Sequence, residues 1–376
     1  MYSRQLEPPA RQSFFLFGPR GTGKTAWTRA TFPRACFLDL LDDQTYLQLH
    51  ARPDSLRDLI PRGHSDWIVI DEVQRVPAIL NEVHRLIEER RHRFILTGSS
   101  ARKLRRRGVN LLGGRALTHR MHPLTALELG PDFDLGRALR FGCLPFACTT
   151  DRPAKYLASY VTTYLREEVQ QEGLMRSLAG FSRFLEVASF SQGSVLNRSA
   201  VARDSAVHLK VVENYFDILE DLLIAVRVPV FTRRAKRRLT AHPKFYLFDA
   251  GVYRAVRPRG PLDSAEEIEG PALETLFLQQ ARALNDNLDL GYTIHYWRTS
   301  TGQEVDFVLY GERGLLAFEL KRTARVRPGD LDSLRLFLAD FPQAKAWLLH
   351  TGSERRHVAG IEIAPFEEGL EALAST

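Results

Sequence analysis

Apolar positions fall first into short unbroken blocks, separated by stretches with a wider spacing. Phe14-Phe15-Leu16-Phe17, Cys36-Phe37-Leu38, Trp67-Ile68-Val69-Ile70 and Phe94-Ile95-Leu96 predict buried strands. Between the last two, Ile79, Leu80, Val83, Leu86 and Ile87 recur at helical spacing, in a helix opened by Pro77 that runs through Glu89. Residues 53–60 predict another helical region. Strands alternating with helices imply an α/β unit, a parallel sheet covered on both faces, with ligand beyond the carboxyl ends of its strands.

The rhythm changes after Phe141-Gly142-Cys143-Leu144-Pro145, and Asp151-Arg152-Pro153 reads as a linker. Residues 154 to about 190 predict helix, with Tyr156, Tyr160, Tyr164 and Leu165 on one packing face. A helix beginning at Asn197, a second over 208–226 and a β-ribbon over 227–248 follow. The last third opens with a helix from Leu273 to about Leu284. Strands over 294–298, 304–309 and 315–321, a helix over 331–338 and a strand over 346–349 complete an αβββαβ order.

A chain of 376 residues exceeds one core. We place boundaries for a phosphate-binding α/β domain at 1–130, a helical lid and linker at 131–180, a third domain at 181–262 and a fourth at 263–376. A hydrophobic share of 44% supports ordinary globular cores. No apolar run approaches the roughly eighteen residues of a membrane span, and the start lacks the apolar heart of a signal peptide. Cys36, Cys143 and Cys148 are odd in number and lack C-x-x-C spacing, which favours buried thiols and a cytoplasmic setting.

The formal charge of +7 favours an anionic partner in addition to any nucleotide. Two basic clusters, at 102–107 and 233–238, are each dense enough to grip a phosphate backbone or to form a solvated face. Nucleic acid, DNA above all and without sequence preference, is therefore the expected partner; no membrane is.

Candidate chemistry starts at Gly18-Pro19-Arg20-Gly21-Thr22-Gly23-Lys24-Thr25, a full match to G-x-x-x-x-G-K-[ST]. Gly18, Gly21 and Gly23 let consecutive N–H groups turn inward around a phosphate, and a helix starting near Lys24 aims its positive end there. Lys24 would reach the β- and γ-phosphates of ATP, and the Thr25 hydroxyl would hold Mg²⁺. The strand ending in Asp71-Glu72 has the form of a Walker B strand: Asp71 would bind Mg²⁺ through water and Glu72 would polarise the attacking water.

These motifs, in this order and followed by Thr97-Gly98-Ser99-Ser100, resemble an AAA-type P-loop ATPase. The resemblance implies that Thr97 or Ser99 fills the sensor position, where such ATPases usually carry Asn. Arg115, after Leu111-Leu112-Gly113-Gly114, would be an arginine finger or sensor, or would bond local carbonyls. A finger acting across subunits implies a homo-oligomer. The run Arg120-Met121-His122-Pro123-Leu124-Thr125-Ala126-Leu127-Glu128-Leu129 is similar to a tail recurring in a bacterial and archaeal ATPase family. Members bear a C-terminal domain of unknown function, and the likeness spans nearly the whole chain.

The middle segment resembles a winged helix. The exposed side of its second helix carries Lys210, Glu213, Asn214, Asp217, Glu220 and Asp221, a net acidic face unsuited to the major groove. Docking suits that helix better than base reading.

The αβββαβ order resembles the restriction-endonuclease-like fold. Strand alternation puts Val305, Phe307 and Leu309 on one side and Glu304 and Asp306 on the other, with Glu319 and Lys321 together. A short hairpin then brings Asp306 toward Glu319 and Lys321, where two carboxylates can bind Mg²⁺ and the lysine can orient water. This resembles the Asp…Glu-x-Lys set of PD-(D/E)xK nucleases, and Glu274 matches their helix carboxylate. Arg298 and Arg322 flank it and could touch phosphate. Alternating Glu and Lys also arise as plain cross-strand pairs, and the domain could keep this shape without cutting.

Overall fold

The computed structural model describes residues 2–102, 104, 112–165, 178–233, 242–261 and 263–376. The chain forms two compact units. One is Arg4–His122 with Asp221–Ile224; the other gathers Met1–Ser3, Pro123–Glu220 and Ala225–Thr376. Apart from Asp221–Ile224, the stretches expected as lid, winged helix and nuclease-like domain thus lie within the second unit. Among the described residues no helix is long and apolar enough to cross a membrane.

In the first unit, β1 (Ser13–Phe17), β2 (Cys36–Asp39), β3 (Trp67–Asp71), β4 (Arg93–Gly98) and β5 (Ala116–Arg120) lie in the order β2-β3-β4-β1-β5. All neighbours are parallel. Alternation along the strands fills two cores. Phe15, Phe17, Ile68, Ile70, Phe94 and Leu96 pack in one group. Phe14, Leu16, Trp67, Val69 and Ile95 pack in another, closed by Trp27 of the helix α1 (Lys24–Thr31). Strands buried on both faces are why the sequence reads as solid apolar runs. The expected helix after Pro77 spans Ile79–Arg90.

No strand was expected at β5. Its pattern is mostly solvent-facing, and it lies at the sheet's edge beside β1, so no apolar block marks it.

In the second unit, helices Arg198–Ser205 and Leu209–Asp221 precede a two-stranded antiparallel ribbon of β6 (Ala225–Val228) and β7 (Lys244–Leu247). The second helix is shorter than expected. Leu223 takes a left-handed φ of 61°, which ends helical winding, and Val226 stands in a strand. The Tyr face packs as expected, Tyr156 on Tyr160 and Tyr160 on Tyr164 at 6.1 and 5.7 Å between rings.

A six-stranded sheet follows, made from β8 (Thr293–Arg298), β9 (Glu304–Gly311), β10 (Gly314–Lys321), β11 (Lys345–His350), β12 (Arg356–Val358) and β13 (Ile361–Pro365). Its order is β12-β13-β11-β10-β9-β8. Helices Ala265–Asn287 and Asp332–Asp340 supply the two α elements of the expected order, while β12, β13 and helix Phe366–Ala374 extend it. The first of these starts well before Leu273, because Ser264 and Glu267 form a reciprocal cap.

Strict alternation fails at Val305. This residue packs with Val308, Leu315 and Ala317, whereas Phe307 and Phe318 stack on Phe277. The pairing of β8 with β9 slips between His295 and Trp297, so an irregularity sits beside the strand's carboxylates.

Candidate functional site

Parallel strands put every carboxyl end of the first sheet along one edge, and three of them present polar groups there. The loop 18–23 leaves β1 and turns into α1. Gly21 and Gly23 hold φ of 83° and 93°, angles that cost an L side chain. Gly18 is required for another reason: a Cβ there would lie 2.3 Å from the Met121 carbonyl oxygen. Thr22 Oγ1 donates to the Pro19 carbonyl at 2.9 Å and tightens the turn. Arg20 is half-buried on the same loop.

Lys24 is buried, and its ammonium donates to the Gly18 and Pro19 carbonyls at 2.7 and 3.2 Å. The Thr25 hydroxyl donates to Asp71 Oδ2 at 2.7 Å, and Thr97 Oγ1 donates to Asp71 Oδ1. The backbone N–H of Glu72 donates to Thr97 Oγ1 at 3.3 Å. The loop hydroxyl, the β3 carboxylate and the β4 hydroxyl therefore form one chain. Thr97, and not Ser99, makes the contact with Asp71.

Ser99 belongs to a second linkage that sequence reasoning missed. Gln74 Nε2 donates to Ser99 Oγ at 3.2 Å and to Glu72 Oε2. Glu72 itself has φ 58° and ψ 43°, a left-handed turn that bends its side chain off the strand line. A buried amide two positions past Asp71-Glu72 was the available signal.

Arg115 stands elsewhere. Ala116 pairs with Ser13, the first residue of β1, which puts Arg115 at the amino edge, a strand length of about 17 Å from the loop. There it pairs with Glu88 and donates to the Gly113 carbonyl at 3.4 Å. A sensor role toward its own loop is ruled out by that distance. Lys103, Arg105, Arg106, Arg107, Leu111, Arg234, Lys236, Arg237 and Arg238 lie outside the described residues.

The C-terminal carboxylates converge, and they converge on a lysine. Lys244 of β7 is 1% exposed at its side chain. Its Nζ lies 2.5 Å from Glu304 Oε1, 3.3 Å from Glu274 Oε2 and 3.7 Å from Asp306 Oδ1. Tyr246, two residues on and therefore on the same side of the strand, donates its hydroxyl to Glu274 Oε2 at 2.6 Å. Asp306 Oδ2 accepts from the Leu320 N–H at 2.8 Å, and Lys321 donates to Glu319 Oε1 at 2.7 Å.

The expected pairing of Asp306 with the Glu319–Lys321 strand is thus present, with an unforeseen ammonium added. Nothing local to Lys244 betrays this; a lysine opening an apolar strand reads as an edge residue. Among the described residues no three His, Cys, Asp or Glu side chains are gathered as a metal-holding group. The flanking cations are engaged as well: Arg298 pairs with Glu304 at 3.2 Å, and Arg322 pairs with Glu269.

Burial dominates the electrostatics here. It pulls Lys244 toward the neutral form, yet Glu274, Tyr246, Asp306 and Glu304 outweigh it and hold the ammonium well above its usual range. Burial raises Glu274 to about 7 against the pull of Lys244, and burial with Asp306 beside it raises Glu319 well above the carboxylate range.

Comparison with known proteins adds identity to this geometry. Residues 10–130 match the family model described as an AAA domain. The front of this chain is similar to an AAA domain. That assignment supports nucleotide binding and an ATPase-type function. Residues 133–263 and 269–368 match two domains of unknown function, DUF8612 and DUF4143. No curated protein matches the chain. Among solved structures, protein VC1899 from Vibrio cholerae is 13% identical, with 87% of this chain and 93% of that one covered, at a TM-score of 0.21. An overlap of that quality carries no argument.

Proposed function

We propose that the AAA domain binds ATP at Gly18–Thr25 and hydrolyses it, with Asp71, Glu72 and Thr97 completing the site. One observation carries this reading: the Thr25–Asp71–Thr97 hydrogen-bond chain joins the ends of three elements on the edge where the glycine loop opens. The donor set fits a nucleotide and a hard cation: loop amides, a lysine, a hydroxyl and a carboxylate. Mg²⁺, when bound between Thr25 and Asp71, would supply charge neutralisation to the phosphates. Lys24 would leave the Gly18 and Pro19 carbonyls for phosphate oxygens. Glu72 would accept a proton from water, and Thr97 would keep Asp71 aimed. Lys24→Ala should abolish turnover and Glu72→Gln should stop hydrolysis while sparing binding. Turnover that survives in either variant overturns the site.

For the second unit we propose a winged-helix connector and a PD-(D/E)xK-like domain that engages nucleic acid or protein under control of ATP without cutting. The element orders and the approach of Asp306 to the Glu319–Lys321 strand support the fold reading. The Lys244 ammonium among the carboxylates favours the non-cutting form. Homo-oligomers with Arg115 reaching a neighbour's nucleotide belong to the same proposal, and sedimentation with and without ATP tests them: a monomer in both conditions refutes that arrangement.

A further inference from the structure

Three carboxylates lie within 3.7 Å of the Lys244 ammonium, and a fourth, Glu319, stands on the neighbouring strand. Glu274 comes from the helix Ala265–Asn287, Glu304 and Asp306 from β9, and Glu319 from β10. Lys244, Lys321 and Arg298 face them. The ammonium lies within hydrogen-bond distance of Glu304 and Glu274, and Asp306 Oδ1 is 3.7 Å away. Glu319, 5% exposed, is left over: its Oε1 takes Lys321, while its buried Oε2 has no hydrogen-bond partner. A buried carboxyl oxygen without a hydrogen-bond partner is costly, and it marks a position where a further ligand would be held.

We infer that this centre is a divalent-cation site occupied by the chain's own Lys244 ammonium, which keeps metal out. A dication of the Mg²⁺ or Mn²⁺ class would bring a second positive charge to the same oxygens and favour the ionised form of the carboxyls around it. Oxygen-only donors suit such hard cations. Coordination needs oxygens at about 2.0–2.6 Å from one centre. Nζ already lies 2.5 to 3.7 Å from three of them, so the metal and the ammonium compete for the same space. Lys244 is fixed there by β7: its backbone pairs with Val228 of β6, and the Tyr246 hydroxyl ties the same strand to Glu274. The C-terminal centre is therefore shut for as long as β7 stays docked.

The test is a Mn²⁺ titration of the full-length chain followed by electron paramagnetic resonance, with no nucleotide present. Failure of the ATPase reading therefore leaves this result interpretable. Wild type should show no Mn²⁺ binding that depends on Asp306. Lys244→Met should gain one site per chain, with affinity at least tenfold above wild type, and Lys244→Met combined with Asp306→Asn should lose it. Lys244→Arg keeps the charge and should bind as wild type does. Asp306-dependent Mn²⁺ binding in wild type overturns the inference, and this arm needs no Lys244 variant to fold. So does a folded Lys244→Met protein that gains no site, because the cluster is then a salt-bridge core with no place for metal.

Discussion

Gln74 Nε2 donates to Glu72 Oε2 and thereby sets where the acid after β3 points. The amide is wedged in place: a Cβ on Gly98 would meet Gln74 Oε1 at 2.4 Å. A hydrogen bond to a charged group contributes about 1.5–3 kcal/mol, or roughly ten- to a hundredfold if it is felt in the transition state. Gln74→Leu should lower kcat by that factor and leave KM for ATP nearly unchanged, because the phosphate contacts proposed for the loop amides and Lys24 are untouched. Gly98→Ala should act in the same direction by displacing the amide. Steady-state ATPase kinetics on both variants decide it; a change confined to KM contradicts the positioning role.

Gly18 is tested by a single carbon. Gly18→Ala sets that carbon 2.3 Å from the Met121 carbonyl, and Met121 N–H is itself bonded to the Phe17 carbonyl at 2.7 Å, so neither side can yield cheaply. Overpacking of this sort costs about 1–3 kcal/mol. A lowered Tm together with lost ATP uptake by calorimetry is expected. Gly136→Ala is the control. Its added carbon meets nothing closer than Asp134 Oδ1 at 3.4 Å, so neither quantity should fall.

The two sites differ in how far a sequence reveals them, and the reason is contact range. Gly18 to Thr25 is one contiguous turn, so spacing alone encodes its geometry, and the solid apolar blocks announce the β1–β4 core. Asp306, Glu319 and Lys321 were legible as a set because strand period and hairpin length place them together, whereas Glu274, on a helix, came in only through the resemblance to a nuclease carboxylate. Lys244 was not: thirty positions separate it from Glu274, and only the docking of β7 against the sheet creates the contact. β5 escaped because an edge strand with a wet face has no block to read. For Arg115 the sequence left a finger, a sensor and a bond to local carbonyls open, and the contact seen is with the Gly113 carbonyl, because the direction of β5 decides which end of the sheet it occupies.

Asp249 gives the second unit a predictable response to pH. It is fully buried, caps the helix Ala250–Val256 by accepting from the Val252 N–H at 2.9 Å, and accepts from the Cys143 N–H at 2.8 Å. Burial raises its pKa from 3.8 to about 6, against the pull of those amides. The native state then holds a proton that the unfolded chain gives up. The stability this contributes is complete below about pH 4 and is lost as pH rises through about 6, a change of about 3 kcal/mol. Asp249→Asn keeps an acceptor but cannot ionise. Urea unfolding should show the variant gaining on wild type as pH goes from 4 to 7; a constant difference rules the account out.

Cutting of DNA separates the two forms of the C-terminal reading. With Lys244 seated among Glu274, Glu304 and Asp306, no dication can enter, and a metal-dependent phosphodiesterase lacks its electrophile. Plasmid and linear DNA incubated with the wild-type chain and Mg²⁺ or Mn²⁺, with or without ATP, should stay intact. The net charge of +7 should still give retardation in a gel at low salt that fades as salt rises, since phosphate contacts release counterions. Suppose instead that wild type cuts, that Asp306→Ala and Lys321→Ala abolish cutting, and that both variants keep ATPase activity. The ammonium must then leave its carboxylates during turnover, and the domain is a nuclease whose resting state is the closed one.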